Sequence, residues 1–292
     1  MYFFKELSNN NKLIIGSTRI NGNYQHKTDY QLKITLTGKE DCLLNKRKLS
    51  IHSGSFLAVN QGSEFQNLGA AVYPTYTFSI CYSESFLSDF YRSSVSGDDR
   101  LLDEPFNDFQ TPQFVESLYP LKGDLWYTVM HLKNKIVNGS PDELLINDYL
   151  HHCLINQHKI CNKEIFKCRQ GLTCVKRQTR DEIFKRLMLA KEFMRTNYNK
   201  QLSVEEIARN SCLSVNHFLR TFKEAYQLSP HQFLTQVRLD QAKYFLRQTK
   251  LPISEIVAEI GFECSSAFIR LFKSRFAVTP LKYRMARLYA AL

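Results

Sequence analysis

The spacing of apolar residues changes period partway along this chain. Over roughly the first 110 residues it is two. Tyr30-Gln-Leu-Lys-Ile-Thr-Leu36 alternates apolar and polar side chains, which predicts a half-buried strand, ended by Gly38. Cys42-Leu-Leu44 starts another, followed by Leu49-Ser-Ile-His-Ser-Gly54, a turn, and Phe56-Leu-Ala-Val59. Tyr76 to Tyr82 is a further strand, rich in β-formers. Short strands at this spacing, divided by Gly and Asn, predict an antiparallel barrel or sandwich. Helical spacing then takes over. Glu84–Ser93 reads as a short helix, and Leu121–Val137 as a longer one with Leu125, Val129, Leu132 and Ile136 on one face. Ser140-Pro-Asp-Glu143 joins a capping-box Ser and Glu to a Pro at the first helical position, and starts a helix expected to reach about Lys159. The apolar faces of this pair suit either core packing or a dimer interface. Residues 161–180 are polar and basic without a clear period, and read as a linker.

From residue 181 the pattern is helical throughout and repeats at a fixed offset of 50 residues. Glu205 matches Glu255, Ala208 Ala258, Phe218 Phe268, Arg220 Arg270, Phe222 Phe272, Lys223 Lys273, Pro230 Pro280 and Phe233 Tyr283. Each unit reads as helix, tight turn, helix. In the first, Ser203-Val-Glu-Glu206 is a capping box, Ile207 and Ala208 form a buried face, and Ser214 caps a second helix reaching about Ala225. Phe218 and Phe222, four apart, turn inward. Val215, Asn216, Leu219, Arg220 and Lys223 then make an outward face that is short and cationic, as a groove-reading helix requires. The second unit, Ile253 to Arg275, buries Phe268 and Phe272 and exposes Ser265, Ser266, Ala267, Ile269, Arg270 and Lys273. Between the units, Pro230 to about Arg247 reads as one helix about 27 Å long. Adjacent major-groove faces lie about 34 Å apart on one side of a duplex, so this spacer suits two reading helices in one chain.

Charge agrees with that reading. The chain carries +11, and residues 176–292 hold 21 Lys and Arg against 10 Asp and Glu, so the whole excess lies there. A polyanionic partner is implied, nucleic acid or an anionic membrane, and the repeated Phe pairs favour a packed domain over a membrane-surface helix. No apolar run nears the ~18 residues of a membrane span, and Met1–Asn10 has no secretion-signal core. The eight cysteines include no CxxC pair and read as reduced cytosolic thiols. Cys161, Cys168 and Cys174 are near neighbours, but their gaps fit no common zinc pattern.

These residues resemble the C-terminal domain of AraC/XylS-type regulators over about Glu182 to Arg287. The resemblance is carried by Leu202-Ser-Val-Glu-Glu-Ile-Ala208, Leu213-Ser-Val-Asn-His-Phe-Leu-Arg-Thr-Phe-Lys223, Ser229-Pro230, Arg238-Leu239 with Ala242, Ile260-Gly-Phe262, Phe268-Ile-Arg-Leu-Phe-Lys273, Thr279-Pro280 and Tyr283-Arg284. It implies seven helices, with the second helix of each unit entering the major groove. By position, Asn216, Leu219 and Arg220 would approach bases from the first unit, and Ser265, Ser266, Ala267, Ile269 and Arg270 from the second. Lys223, Lys273 and the helix starts near Ser203, Pro230 and Thr279 would hold phosphates. Two departures stand out. Cys264 occupies the cap position equivalent to Ser214. Leu219 and Ile269 are apolar, and either meet thymine methyl groups or turn inward to pack.

Residues ~26–66 loosely resemble the cupin-like sensor domain often joined to this module. Metal-using cupins supply paired histidines followed by another after a later glycine. Here His26 precedes Lys27 and Thr28, Asn60 replaces the usual Pro, and Phe65 stands at the metal-His position. Without the imidazoles no metal, cofactor or catalytic residue is expected, and His26 and His52 read as surface residues. Tyr30, Phe56, Phe78 and Tyr82 are candidates to line a small-ligand pocket inside the barrel, or simply to pack the core. The resulting expectation is an α+β chain. It has a cupin-like antiparallel β-barrel with flanking helices over 1–160, a linker over 161–180, and a seven-helix double helix-turn-helix domain over 181–292. The expected function is a cytoplasmic, non-enzymatic transcription regulator that binds double-stranded DNA. RNA polymerase, a small-molecule effector and a second copy are its candidate partners, and no membrane is involved. A cupin-type enzyme and a module acting only through protein partners are the competing classes.

Overall fold

The computed structural model describes residues 2–17, 25–69, 75–95, 113–139, 141–173 and 176–290. They divide into two compact units, Met1–Glu164 and Ile165–Leu292. Strands β1 (Tyr2–Glu6), β2 (Lys12–Ser17), β3 (Gln25–Lys27), β4 (Tyr30–Thr37), β5 (Lys39–Leu44), β6 (Arg47–His52), β7 (Ser55–Val59), β8 (Glu64–Asn67), β9 (Tyr76–Tyr82) and β10 (Leu118–Pro120) belong to the first unit. Its helices are α1 (Glu84–Val95), α2 (Asp124–Asn138) and most of α3 (Glu143–Gly171). The strands form two antiparallel sheets, ordered β1-β2-β9-β4-β7-β10 and β3-β8-β5-β6. Cys42, Leu44, Leu49, Ile51 and Phe65 of the smaller sheet pack with Leu57, Val59 and Leu118 of the larger. A mixed α and β unit with open antiparallel sheets is therefore present.

The alternation in β4 has an unexpected meaning. Its polar side chains are not turned to water: Gln31 and Thr35 are buried, and Lys33 pairs with buried Glu40 of β5 at 3.0 Å. The Lys33 ammonium also lies 4.5 Å from the Phe65 ring centre. This face meets the second sheet. The other face, Tyr30, Leu32 and Ile34, registers with Tyr82, Ile80 and Phe78 of β9 and meets helices, since Tyr82 stacks on Phe86 of α1 and Phe86 meets the tilted His151 ring of α3 at 4.4 Å. His52 is buried at the end of β6, against the surface position expected for it. Cys42–Leu44 close β5 rather than open it, and the hairpin β1–β2 was not read from the sequence at all.

Leu125, Val129, Leu132 and Ile136 are buried on α2 as expected. The start of α3 differs. Asp142 accepts from the Leu145 amide at 2.7 Å and caps it, Pro141 stands outside the helix, and Ser140 lies outside the described residues. The end differs more: α3 runs 29 residues to Gly171, through half of the expected linker. Cys161, Cys168 and Leu172 explain this. All three are buried: Cys161 and Cys168, seven apart, continue a helical stripe, and Leu172 is buried just past the last residue of α3. Burial pushes the Cys161 thiol up to about 12, as befits a packing residue, while Cys174 lies outside the described residues.

The second unit contains α4 (Arg177–Thr196), α5 (Val204–Asn210), α6 (Val215–Tyr226), α7 (Pro230–Gln248), α8 (Ile253–Glu259), α9 (Ser265–Phe276) and α10 (Pro280–Ala290). Seven helices thus follow the end of α3 among the described residues. Capping boxes close at Ser203 with Glu206 and at Ser229 with Gln232. No helix of the described residues is long and apolar enough to cross a membrane.

Candidate nucleic-acid interface

The 50-residue repeat is reproduced in three dimensions. Phe218, Phe222, Phe268 and Phe272 are all fully buried. Ring centres lie 5.4 Å apart for Phe218–Phe222 and 5.6 Å for Phe268–Phe272. Phe222 meets Phe233 edge-on at 5.7 Å, and Phe272 meets Tyr283 edge-on at 5.6 Å. The cations beneath repeat too: Lys191 lies over Tyr226 at 4.6 Å, and Lys243 over Phe276 at 4.8 Å. Both outward-facing helices end in a left-handed residue, Gln227 and Ala277. Equivalent aromatic packing fixes how α6 and α9 sit on their supporting helices, so equivalent side chains point outward from each.

On α6, Asn216, Arg220 and Lys223 are exposed and Val215 is half-buried; on α9, Ser265, Ser266, Arg270 and Lys273 are exposed and Ala267 is half-buried. Leu219 and Ile269 are 38% and 40% exposed, so neither has turned into the core. Arg220 and Arg270 make no salt bridge with an acidic side chain among the described residues, and the Arg270 charge acts on Cys264 at the start of the same helix. Thr279 caps α10 by accepting from the Lys282 amide at 3.3 Å. Ser203 is exposed but its hydroxyl is engaged in its own capping box.

The two caps of the outward helices are weak. Ser214 stands at the N-cap of α6 and closes no capping bond. Cys264 does the same for α9, and the amides of Ala267 and Ser266 are near enough to hold its exposed thiol below the ordinary cysteine range without a cap bond closing. Gly261 turns the chain between α8 and α9 at φ 77°, with backbone of Asn199 so close that a Cβ would fall 2.7 Å from its oxygen. Arg238 of α7, which the sequence placed only within a motif, is buried and donates to Tyr198 and Lys200 carbonyls at 2.7 and 2.8 Å, tying the spacer helix to the α4–α5 loop. Its burial lowers its pKa, and the Glu263 charge opposes the shift.

The repeat is not perfect. Ala208 is buried but Ala258 is exposed, and Thr221 is buried where Leu271 is 37% exposed. Gly171 lies so close to Ala225 that a Cβ would fall 2.7 Å from its Cα, and nothing in the sequence repeats α3 at the second unit.

In the first unit, the four candidate ligand residues separate into two kinds of place. Phe56 stacks on Tyr119 at 5.4 Å and Phe78 is fully buried, both on the face away from the second sheet. They are core residues there, and do not line a space between the sheets. Tyr30 and Tyr82, cross-strand partners, border a pocket of about 180 Å³ with Lys12, Asp29 and Gln61. The Tyr82 hydroxyl is buried without a hydrogen-bond partner among the described residues.

Comparison with known proteins follows the same division. Residues 207–286 match the family described as helix-turn-helix domain. The Msm operon regulatory protein of Streptococcus mutans is 34% identical over 94 residues, 32% of this chain and 34% of its own length. The lactose operon transcription activator of Staphylococcus xylosus is 25% identical over 156 residues, 53% of this chain and 52% of its own. The chain thus spans about a third to a half of the curated relatives it matches. A solved structure of a Chromobacterium violaceum transcriptional regulator, described as containing an AraC-type DNA-binding domain, is 28% identical, with a TM-score of 0.34 over 35% of this chain and 91% of that one.

Proposed function

The C-terminal unit of this chain carries a helix-turn-helix domain of the AraC/XylS type, and from that premise we propose that the protein is a sequence-specific DNA-binding transcription regulator reading two adjacent major grooves. One observation carries the reading. Two helices with the same aromatic anchoring present exposed Arg220 and Arg270, with Lys223 and Lys273 one turn on. Phosphate contacts from the lysines and helix starts hold the duplex, and Asn216, Arg220, Ser266 and Arg270 read base edges, with Leu219 and Ile269 against thymine methyls. The spacer α7, 19 residues and about 28 Å long, separates the two reading helices. The test is affinity against salt on the preferred duplex and on a scrambled one. Arg270→Ala is expected to cost about 1–3 kcal/mol on the preferred duplex and little on the scrambled one. Lys273→Ala is expected to weaken both alike and to reduce the salt slope by about one. An unchanged preference for Arg270→Ala sinks the assignment.

The rest of the regulator follows from this role. The N-terminal unit is the cupin-like sensing or dimerisation domain, non-catalytic, and the protein works in the cytoplasm, with RNA polymerase as the partner it acts upon. Exposed Trp126 and Tyr127 of α2 and Leu144 of α3 favour a second copy as the partner of the first unit. The pocket beside Tyr30 and Tyr82 favours a small polar effector, because its border combines Lys12, Asp29 and an unsatisfied phenol.

A further inference from the structure

We propose that a cleft beside α6 clamps the sugar–phosphate backbone of the bound duplex, with Arg177 and Lys185 as its cations; this rests on the reading of α6 as a groove-reading helix. The cleft holds about 950 Å³ between the start of α4 and the α5–α6 turn, and extends along the first turn of α6 to His217. His217 lies about 60° around α6 from Arg220, so the cleft is beside the outward face and not behind it. A helix lying in a major groove has one strand of phosphates along each flank. A concave, cationic flank is what such a strand would meet.

The charges of the cleft are not equivalent. Asp181 is held by Arg169 at 3.0 Å, and Glu182 by Arg186 Nε at 2.9 Å. Arg186 also donates to the Cys212 carbonyl at 2.6 Å, so it is committed to the α5–α6 turn. Arg177 and Lys185 are exposed and have no acidic partner among the described residues. The location of Arg177 is unfavourable for the fold alone. The first turn of α4 contains no acid, Lys176 stands at its N-cap, and cations there face the positive end of the helix dipole. An anion delivered from outside relieves that repulsion. The open N-terminus of α6, whose Ser214 closes no cap, adds donors at the edge of the same cleft.

The full chain is titrated with its preferred duplex and with a scrambled duplex at several salt concentrations, as wild type and as the double variant Arg177→Ala/Lys185→Ala. The double variant is expected to bind both duplexes roughly 30-fold more weakly at 0.15 M salt, with preference retained and a slope of log K against log salt lower by about two. Its thermal midpoint should not fall, since Arg177 is an unfavourable charge at the helix start and Lys185 loses no acidic partner among the described residues. An unchanged slope in a variant that still binds overturns the clamp and leaves the DNA reading standing. A wild type that binds no duplex overturns both. Protection of the start of α4 by inorganic phosphate at constant ionic strength, with no slope change on DNA, assigns the cleft to a free anion and overturns the proposal.

Discussion

At the level of single residues, the second helix-turn-helix depends on a glycine that the sequence offers only within the Ile260-Gly-Phe262 motif. Gly261 has φ 77°, and a methyl group there would collide with the Asn199 backbone, which is not a flexible obstacle. Gly62 has a similar φ of 80° with open space around it. Gly261→Ala is therefore expected to cost about 2 kcal/mol or more, and Gly62→Ala about 1 kcal/mol, read as shifts in denaturant midpoint. Equal costs would mean that left-handed backbone strain alone matters and that the α8–α9 turn can move away from Asn199. The candidate base readers were nominated residue by residue from the exposed positions that flank each buried Phe pair. The ligand residues of the first unit were not legible in that way. Alternation divides a strand into two faces, but both faces of β4 and β9 are covered, and a sequence does not say which covering is the sheet and which the helices.

At the level of elements, the helices of the second unit were read from caps and aromatic spacing, and those are the features that persist in the structure. Capping geometry separates three serines that look alike in sequence. Ser203 and Ser229 each accept from the amide three residues on, at 3.1 and 3.2 Å, while Ser214 accepts none. Ser203→Ala and Ser229→Ala should each lower stability by about 1 kcal/mol, and Ser214→Ala by only a few tenths, measured by chemical denaturation. A large loss at Ser214 would show that its cap does close in solution, and would leave α6 without the open first turn that the clamp uses. The elements missed in sequence share one cause. The β1–β2 hairpin and the last third of α3 rely on short or cysteine-containing apolar stripes. Cys161 and Cys168 were weighed there as chemistry, although buried cysteine packs as a small hydrophobe.

At the level of the whole chain, charge and fold divide in nearly the same place, but the boundary the charge suggested is too late. Neutral and basic halves meet near residue 176, and the expected DNA-binding domain began at 181. The compact unit instead starts at Ile165. Cys168 and Leu172 are buried in it, Arg169 pairs with Asp181 and lies over the Phe184 ring at 5.2 Å, and Thr173 donates to Glu224 at 3.3 Å. Gly171 fits closely against the end of α6, the helix whose outward face is to read DNA. A fragment of residues 165–292 should therefore fold and bind DNA with the preference of the full chain. A fragment of residues 181–292 lacks the α3 turn and the first turn of α4, and uncovers Ala225. Losing the side chains of Cys168 and Leu172 alone removes about 3–5 kcal/mol of burial, a large part of the stability of a small domain. It should melt well below the longer fragment and bind more weakly, with a smaller salt slope because Arg177 has gone with it. Equal melting temperatures for the two fragments would mean that the end of α3 only rests on the reading unit and does not support it.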